Sequence, residues 1–124
     1  MLLENYYYQL IHTQKEGLQA VYRISILPDC SVYQGHFPDE PICPGVCNIE
    51  TIKECAMHLT GKELFIHTIK LCRLTAIASP TICPEVTITL HLEPIEHGFT
   101  VTARIADENR TYMEYKGDML IVTD

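Results

Sequence analysis

Only one segment of the chain has the periodicity of an amphipathic helix, and residues that start and stop helices bound it. Its apolar residues recur at steps of three and four: Val46, Ile49, Ile52, Ala56 and Leu59. This spacing places them on one face of a helix. Pro44 suits a helix start and Gly61 suits a helix stop. We therefore predict one long helix, Gly45–Thr60, whose apolar stripe must be covered by another element.

The segments around this helix alternate between apolar and polar residues, which is typical of strands. They are residues 18–27, 64–79, 86–92, 99–105 and 111–122. Tyr6-Tyr7-Tyr8 is either a recognition patch or the opening of a first strand, and the second interpretation is favoured. His97-Gly98 is a hairpin turn candidate. Short connections favour an antiparallel sheet, so the predicted class is α+β.

Length and composition limit the classes of function. The chain has 124 residues, 47% of them hydrophobic and 20% charged, which predicts a single packed domain over residues 1–124. The formal net charge of -7 disfavours binding to nucleic acid or anionic membranes. No segment approaches the ~20 apolar residues of a membrane span. The N-terminus has no basic region or long apolar run, so we expect a cytoplasmic protein whose six cysteines are reduced.

The sequence GHFPDEPICPGVCNIE, residues 35–50, holds the groups with the most distinctive chemistry. His36 lies in a loop stiffened by prolines, and histidine is readily poised as a base near neutral pH. Glu50 lies in the second turn of the predicted helix and can serve as an acid. The backbone N–H groups at Gly45 and Val46 can bind an anion or a polarised carbonyl oxygen. Taken alone, these residues also fit a turn-ordering histidine and a glutamate on a solvated helix face.

The spacing of these residues resembles the signature of the β-hydroxyacyl-(acyl carrier protein) dehydratases, H-F-P-x-x-P-x-x-P-G-V-x-x-x-E. The chain meets every fixed position with His36-Phe37-Pro38, Pro41, Pro44-Gly45-Val46 and Glu50. The rest of the sequence agrees in the order of its elements. The resemblance implies the hot-dog fold, in which an antiparallel sheet wraps around one long central helix.

The resemblance also implies an activity and an assembly. His36 would remove the α-proton of a 3-hydroxyacyl thioester, and Glu50 of the partner subunit would help to expel the β-hydroxyl as water. Gly45 and Val46 would bind the thioester oxygen, while Phe37, Pro38 and Pro44 would shape the loop. The substrate would be carried on phosphopantetheine of acyl carrier protein or coenzyme A. No metal or other cofactor is expected, and the family forms homodimers that sometimes assemble further.

Departures from the family pattern point to a specialised substrate. Housekeeping members usually have glutamine one turn after the acid, where this chain has Glu54. Glu54 would either repel Glu50, which could raise a pKa, or remain solvated. Later family elements are reduced to Arg73-Leu74 and Pro84-Glu85. Fatty-acid synthesis, or a related polyene or lipid pathway, is the expected setting.

Other interpretations of the sequence remain open. Cys43, Cys47, Cys55 and His58 do not have the usual spacing of zinc ligands, so no metal site is predicted. A hot-dog thioesterase would share the oxyanion site at the helix start, but it does not call for the His-Phe-Pro loop. A non-catalytic subunit of a heteromeric dehydratase would need neither His36 nor Glu50. The dehydratase is therefore the favoured interpretation.

Overall fold

The computed structural model describes residues 2–35 and 40–123. The elements in these residues are β1 (Tyr8–Glu16), β2 (Gln19–Ile26), α1 (Val32–Gly35), α2 (Gly45–Thr60), β3 (Leu64–Leu74), β4 (Glu85–Ile95), β5 (Gly98–Ala106) and β6 (Thr111–Ile121). The six strands form a sheet in the order β1-β2-β4-β5-β6-β3, and all neighbouring pairs are antiparallel. The α+β prediction is confirmed. The short helix α1 was not predicted.

Helix α2 has the bounds that the sequence predicted. It follows Pro44 and ends where Gly61 adopts a left-handed conformation, with φ 68°. The Gly61 amide donates to the carbonyl of Met57 at 2.9 Å, which satisfies one of the last carbonyls of the helix. The helix has 16 residues and spans about 24 Å, so it is not the distinctly long helix that was expected. In the described residues, no helix is long and apolar enough to cross a membrane.

The core lies between α2 and one face of the sheet. Strands β2 and β4 alternate strictly and bury Ala20, Tyr22, Ile24 and Ile26, and Val86, Ile88, Leu90 and Leu92. The predicted alternation of both strands is therefore confirmed. Helix α2 contributes Ile52, Cys55 and Ala56 to the same apolar cluster. Fully burying one large aliphatic side chain stabilises the fold by about 1.5–3 kcal/mol.

The buried side of α2 differs from the predicted apolar stripe. Val46 was placed on the covered face, yet it is 75% exposed. Three polar residues of the helix, Asn48, Thr51 and Glu54, are buried instead. The reason is that the N-terminal segment before β1 lies against the helix and supplies hydrogen-bond donors there. The predicted apolar stripe assumes that the sheet alone covers the helix.

Two strand boundaries also differ from the sequence interpretation. β3 ends at Leu74, and residues 75–79 are not part of it. The β4–β5 hairpin turns at Glu96-His97, one residue earlier than predicted, with His97 at φ 66°. Gly98 is instead the first residue of β5, where a Cβ would lie 2.1 Å from the carbonyl oxygen of Met119. Glycine is needed there because of this close approach and not because of the turn.

The buried tyrosines and cysteines predict a loss of stability at alkaline pH. Burial raises the pKa of Tyr8, Tyr22 and Cys55 above the ordinary values of 10.0 and 9.0. The unfolded chain therefore loses these protons first, and rising pH favours unfolding. We expect the free energy of unfolding, measured with urea under reducing conditions, to be constant up to about pH 8 and to fall from about pH 9 upward. A constant value up to pH 11 would contradict this.

Candidate active site

The start of α2 has backbone donors that lack intrahelical partners. Pro44 is buried and has an extended conformation, with φ -64° and ψ 139°, and it makes no side-chain cap bond. Its carbonyl accepts from the amides of Cys47 and Asn48 at 3.1 and 3.2 Å. The amides of Gly45 and Val46 precede these and have no partner within the helix. They lie at the positive end of the helix dipole, which favours an anionic or polarised oxygen.

Glu50 lies on the outward side of the helix, close to the exposed Val46. Its side chain is 29% exposed, and its Oε1 is 2.9 Å from Nζ of Lys53, one turn further along. An ion pair of this exposure stabilises the helix by at most about 1 kcal/mol. The carboxyl group is therefore partly accessible, and its ion pair among the described residues is with its own helix. This position is open to a substrate or to a second chain.

His36, Phe37 and Pro38 lie outside the described residues, but the structure shows how both flanks of their loop are held. Before the loop, the amide of Tyr33 donates to the carbonyl of Cys30 at 3.2 Å. After it, the amide of Cys43 donates to the carbonyl of Ala78 at 2.8 Å. The hydroxyl of Tyr33 and the sulfur of Cys43 are 3.5 Å apart, which joins the two flanks.

Glu54 is buried, in contrast to the expectation that it remains solvated. It is 1% exposed, and its carboxylate accepts from the amides of Leu3 and Glu4 at 2.9 and 3.1 Å. The hydroxyl of Tyr8 donates to it as well, at 3.0 Å. The acid therefore anchors the N-terminal segment on α2, one turn after Glu50. The only sequence signal was its departure from the family's glutamine.

Asn48 is a second buried polar residue that sequence reasoning missed. It is 8% exposed, and its Oδ1 accepts a hydrogen bond from the hydroxyl of Tyr7 at 2.8 Å. Burial, followed by the neighbouring Cys43, raises the pKa of Tyr7, so that its hydroxyl stays protonated. The ring of Tyr7 lies 6.3 Å from that of Tyr33. Together these residues form a polar contact between the helix start and the segment that leads to His36.

A cavity of about 330 Å³ adjoins this region. It is lined by Ile42, Cys43, Asn48, Leu74–Ala78 and Tyr112. Leu74 is also next to the helix start, because a Cβ on Gly45 would lie 3.6 Å from its Cδ1. The cavity therefore lies beside the proposed oxyanion site, and its volume is within the usual range of ligand pockets.

Metal ligation has no support in the part of the chain that the structure describes. No group of three or more His, Cys, Asp or Glu side chains there is placed to hold an ion. All six cysteines are free thiols. Burial raises the pKa of Cys43 and Cys47, which disfavours the thiolate that metal binding or nucleophilic attack would need.

The fold is that of a hot-dog protein, with a six-stranded antiparallel sheet packed against a helix. A family model, "ApeI-like: ApeI dehydratase", matches residues 12–115, and the chain belongs to this dehydratase family. No curated protein matches the sequence significantly.

Solved structures share this fold, among them the following two. One is the dehydratase heterocomplex ApeI:P from Xenorhabdus doucetiae, with a TM-score of 0.73 and 18% identity over 90% of this chain and 96% of that one. The other is an uncharacterised protein from Erwinia carotovora subsp. atroseptica, with a TM-score of 0.62 and 15% identity over 92% of each chain. At these identities the likeness concerns the fold.

Substitutions at Glu54 and at Glu50 together test whether Glu54 anchors the N-terminal segment on α2. Glu54→Ala leaves the Tyr8 hydroxyl and two amides without an acceptor, and we expect it to lower the free energy of unfolding by about 2–4 kcal/mol. Glu50→Ala removes only a partly exposed ion pair and should change it by less than about 1 kcal/mol. Urea denaturation measures both. Equal effects of the two substitutions would contradict the anchoring role.

Proposed function

We propose that this chain dehydrates a 3-hydroxyacyl thioester to a trans-2-enoyl thioester. The observation that carries the proposal is the start of α2, where the amides of Gly45 and Val46 have no partner within the helix and the partly exposed carboxyl of Glu50 is open to a second chain. The complete loop signature around His36 and membership of a dehydratase family support it. No metal or redox group takes part in this chemistry.

Each residue of the site has its own role in this reaction. His36 takes the α-proton, and the electrons left on the carbon delocalise into the thioester carbonyl. The amides of Gly45 and Val46 stabilise the negative charge on that oxygen. Glu50 of the partner subunit gives a proton to the β-hydroxyl, which leaves as water while the double bond forms. Pro44 fixes the start of the helix and hence the direction of both amides, and Phe37 and Pro38 shape the loop.

A homodimer is the simplest assembly that completes this site. Strand β3 is at one edge of the sheet, pairs with β6, and exposes the apolar side chains of Phe65, Ile69, Leu71 and Leu74. A long exposed apolar edge strand is a template for pairing with another chain. Pairing of β3 with its copy across a two-fold axis would extend the sheet and cover these side chains. The acid of one chain would then approach the loop of the other.

An acyl carrier protein is the proposed donor of the acyl group, because one face of the sheet is cationic. Strands β3, β5 and β6 carry Lys70, Arg73, Arg104 and Lys116. Lys70 pairs with Asp118 at 3.2 Å and Arg73 with Glu114 at 3.8 Å, so Arg104 and Lys116 supply the excess positive charge on these strands. The chain as a whole has a net charge of -7. We call this set the cationic face. Carrier proteins are acidic, so this face offers the complementary charge that the rest of the surface lacks.

A heteromeric assembly is the second candidate, since the solved structure described above is a dehydratase heterocomplex. In that case this chain would pair through β3 with a different hot-dog subunit. His36 of this chain would then act with an acid of the other subunit, and Glu50 of this chain with a base of the other subunit. The two assemblies differ in whether the isolated chain is active.

The reaction is tested by intact-mass analysis of 3-hydroxyacyl carrier proteins of several chain lengths incubated with the purified chain. We expect the loss of one water from at least one of them. His36→Ala and Glu50→Gln should each slow this loss by about 10²–10⁴-fold, because each removes one proton-transfer group. Release of the free carrier thiol would instead indicate a thioesterase.

A chain that is folded and dimeric but inactive at every chain length would contradict the proposal for the homodimer. Addition of a candidate second hot-dog subunit would then decide the heteromeric case. Activity that appears only in the mixture, and that is lost with His36→Ala in this chain, would assign catalysis to this chain within a heterocomplex.

The role of the cationic face is tested with a charge reversal at Arg104 and Lys116. Both side chains are exposed and lie outside the proposed catalytic set. We expect the double change to Glu to lower kcat/KM for a carrier-bound substrate about tenfold or more at low salt, because it removes electrostatic steering. The same acyl group on free pantetheine should react unchanged. Lys62→Glu, which alters an exposed lysine on no strand, is the matched control, and an equal loss there would contradict docking on this face.

A further inference from the structure

Asn48 has a donor group for which the described residues provide no acceptor. The bond from Tyr7 occupies Oδ1 and orients the carboxamide. Since the amide is planar, Nδ2 and its two hydrogens lie on a different side of the group from Oδ1. Asn48 is also part of the wall of the 330 Å³ cavity beside the helix start. The residue as a whole is only 8% exposed.

The rest of the cavity wall is mainly apolar. Ile42, Leu74 and Ile77 contribute aliphatic side chains, and Tyr112 is held by a bond from its hydroxyl to Asp107 at 2.6 Å. The hydroxyl of Thr75 also has an acceptor, the carbonyl of Thr111 at 2.5 Å. The amide of Asn48 is therefore a polar group that a ligand in this cavity would meet. A pocket with apolar walls and few placed polar groups is the usual form of a site that selects one ligand.

We propose that this cavity receives part of the acyl chain and that Nδ2 of Asn48 donates a hydrogen bond to an oxygen atom of that chain. The substrate class is then an acyl thioester with an oxygen acceptor beyond the reacting carbons, and not a plain alkyl chain. This inference rests on the proposed dehydratase function and adds a specificity-determining residue to it. Tyr7 is the positioning residue, because it turns the carboxamide toward the cavity.

The selectivity has a direct physical cause. An alkyl chain in the cavity would exclude water from Nδ2 without replacing the hydrogen bond, and leaving a buried donor unsatisfied costs about 1–3 kcal/mol. A chain with an oxygen at the right position satisfies the donor. Sites built to hydrogen-bond a ligand reject analogues that lack the acceptor for this reason.

The experiment measures binding and does not depend on turnover. The probes are saturated acyl-pantetheine thioether analogues of one length, in which an ether oxygen replaces a methylene at successive positions. The proteins are the wild type, Tyr7→Phe, and the double variant Tyr7→Phe/Asn48→Leu. Removing both partners of a buried hydrogen bond together avoids leaving one of them unpaired, so the double variant should fold. Calorimetry gives the Kd for each pair, and thermal unfolding confirms the fold.

We expect the wild type to bind one oxygen position about tenfold more tightly than the all-methylene chain. Tyr7→Phe should keep a weaker preference at the same position, because its Asn48 is present but less firmly oriented. The double variant should lose the preference and bind the all-methylene chain at least as well as the wild type. This pattern would show that Asn48 donates a hydrogen bond to the ligand. A purely structural role of Asn48 would weaken the binding of every acyl chain equally.

Two results would overturn the inference: no preferred oxygen position in the wild type, or the same preference in the double variant. Dehydration of an ordinary 3-hydroxyacyl thioester by the wild type is followed in parallel. If dehydration occurs without any oxygen preference in binding, the proposed function stands and the role of Asn48 is wrong. If the preference is found but dehydration occurs neither with the chain alone nor after addition of a second hot-dog subunit, the site is a binding site and the proposed reaction is wrong.

Discussion

The buried carboxylate of Glu54 is the constraint on which the placement of α2 depends. It has no cation within its hydrogen-bonding set, and two backbone amides and one tyrosine hydroxyl satisfy it. A buried acid is costly unless it is hydrogen-bonded in this way. The N-terminal segment must therefore stay against the helix, and the helix must keep the rotation that brings Glu54 to those donors. That rotation in turn directs Glu50 outward.

Helix α2 consequently has three kinds of neighbour. Ile52, Cys55 and Ala56 pack into the core with the sheet. Asn48 and Glu54 accept hydrogen bonds from the hydroxyls of Tyr7 and Tyr8. Val46 is exposed, and the side chains of Glu50 and Lys53 are partly exposed. Buried polar and buried apolar residues are therefore interspersed around the covered part of the helix, and a single apolar stripe does not describe it.

The sequence predicted the local features of this fold and missed those that depend on distant partners. Pro44 and Gly61 mark the helix bounds by their own backbone preferences, and β2 and β4 alternate because the sheet covers one of their faces. Glu54 and Asn48 have no such local signal, because their partners lie 41 to 51 residues away in sequence. The hairpin turn was displaced by one residue because the left-handed position is His97, whereas Gly98 was chosen by residue type.

The same reasoning applies to the candidate site. The loop signature names the candidate residues through the spacing from His36 to Glu50, and their part in catalysis stays a prediction. It did not predict the surroundings, which come from Tyr7, from the segment after β3 and from the sheet edge. Strand β3 is the clearest example of surroundings that the sequence did not predict. Its exposed apolar side chains break the alternation that a half-buried strand would have.

The position of Glu50 on α2 and the exposure of the edge strand β3 are physically linked. Glu50 lies in the second turn of α2, on the exposed side and away from the covered side of Asn48. A base in the preceding loop of the same chain and this acid need not approach the same substrate atoms. A second chain that pairs along β3 would bring another loop to the exposed side of α2. The apolar side of β3, which is exposed to water in a single chain, would then form a wall of the active site. Assembly and catalysis would depend on the same apolar contacts.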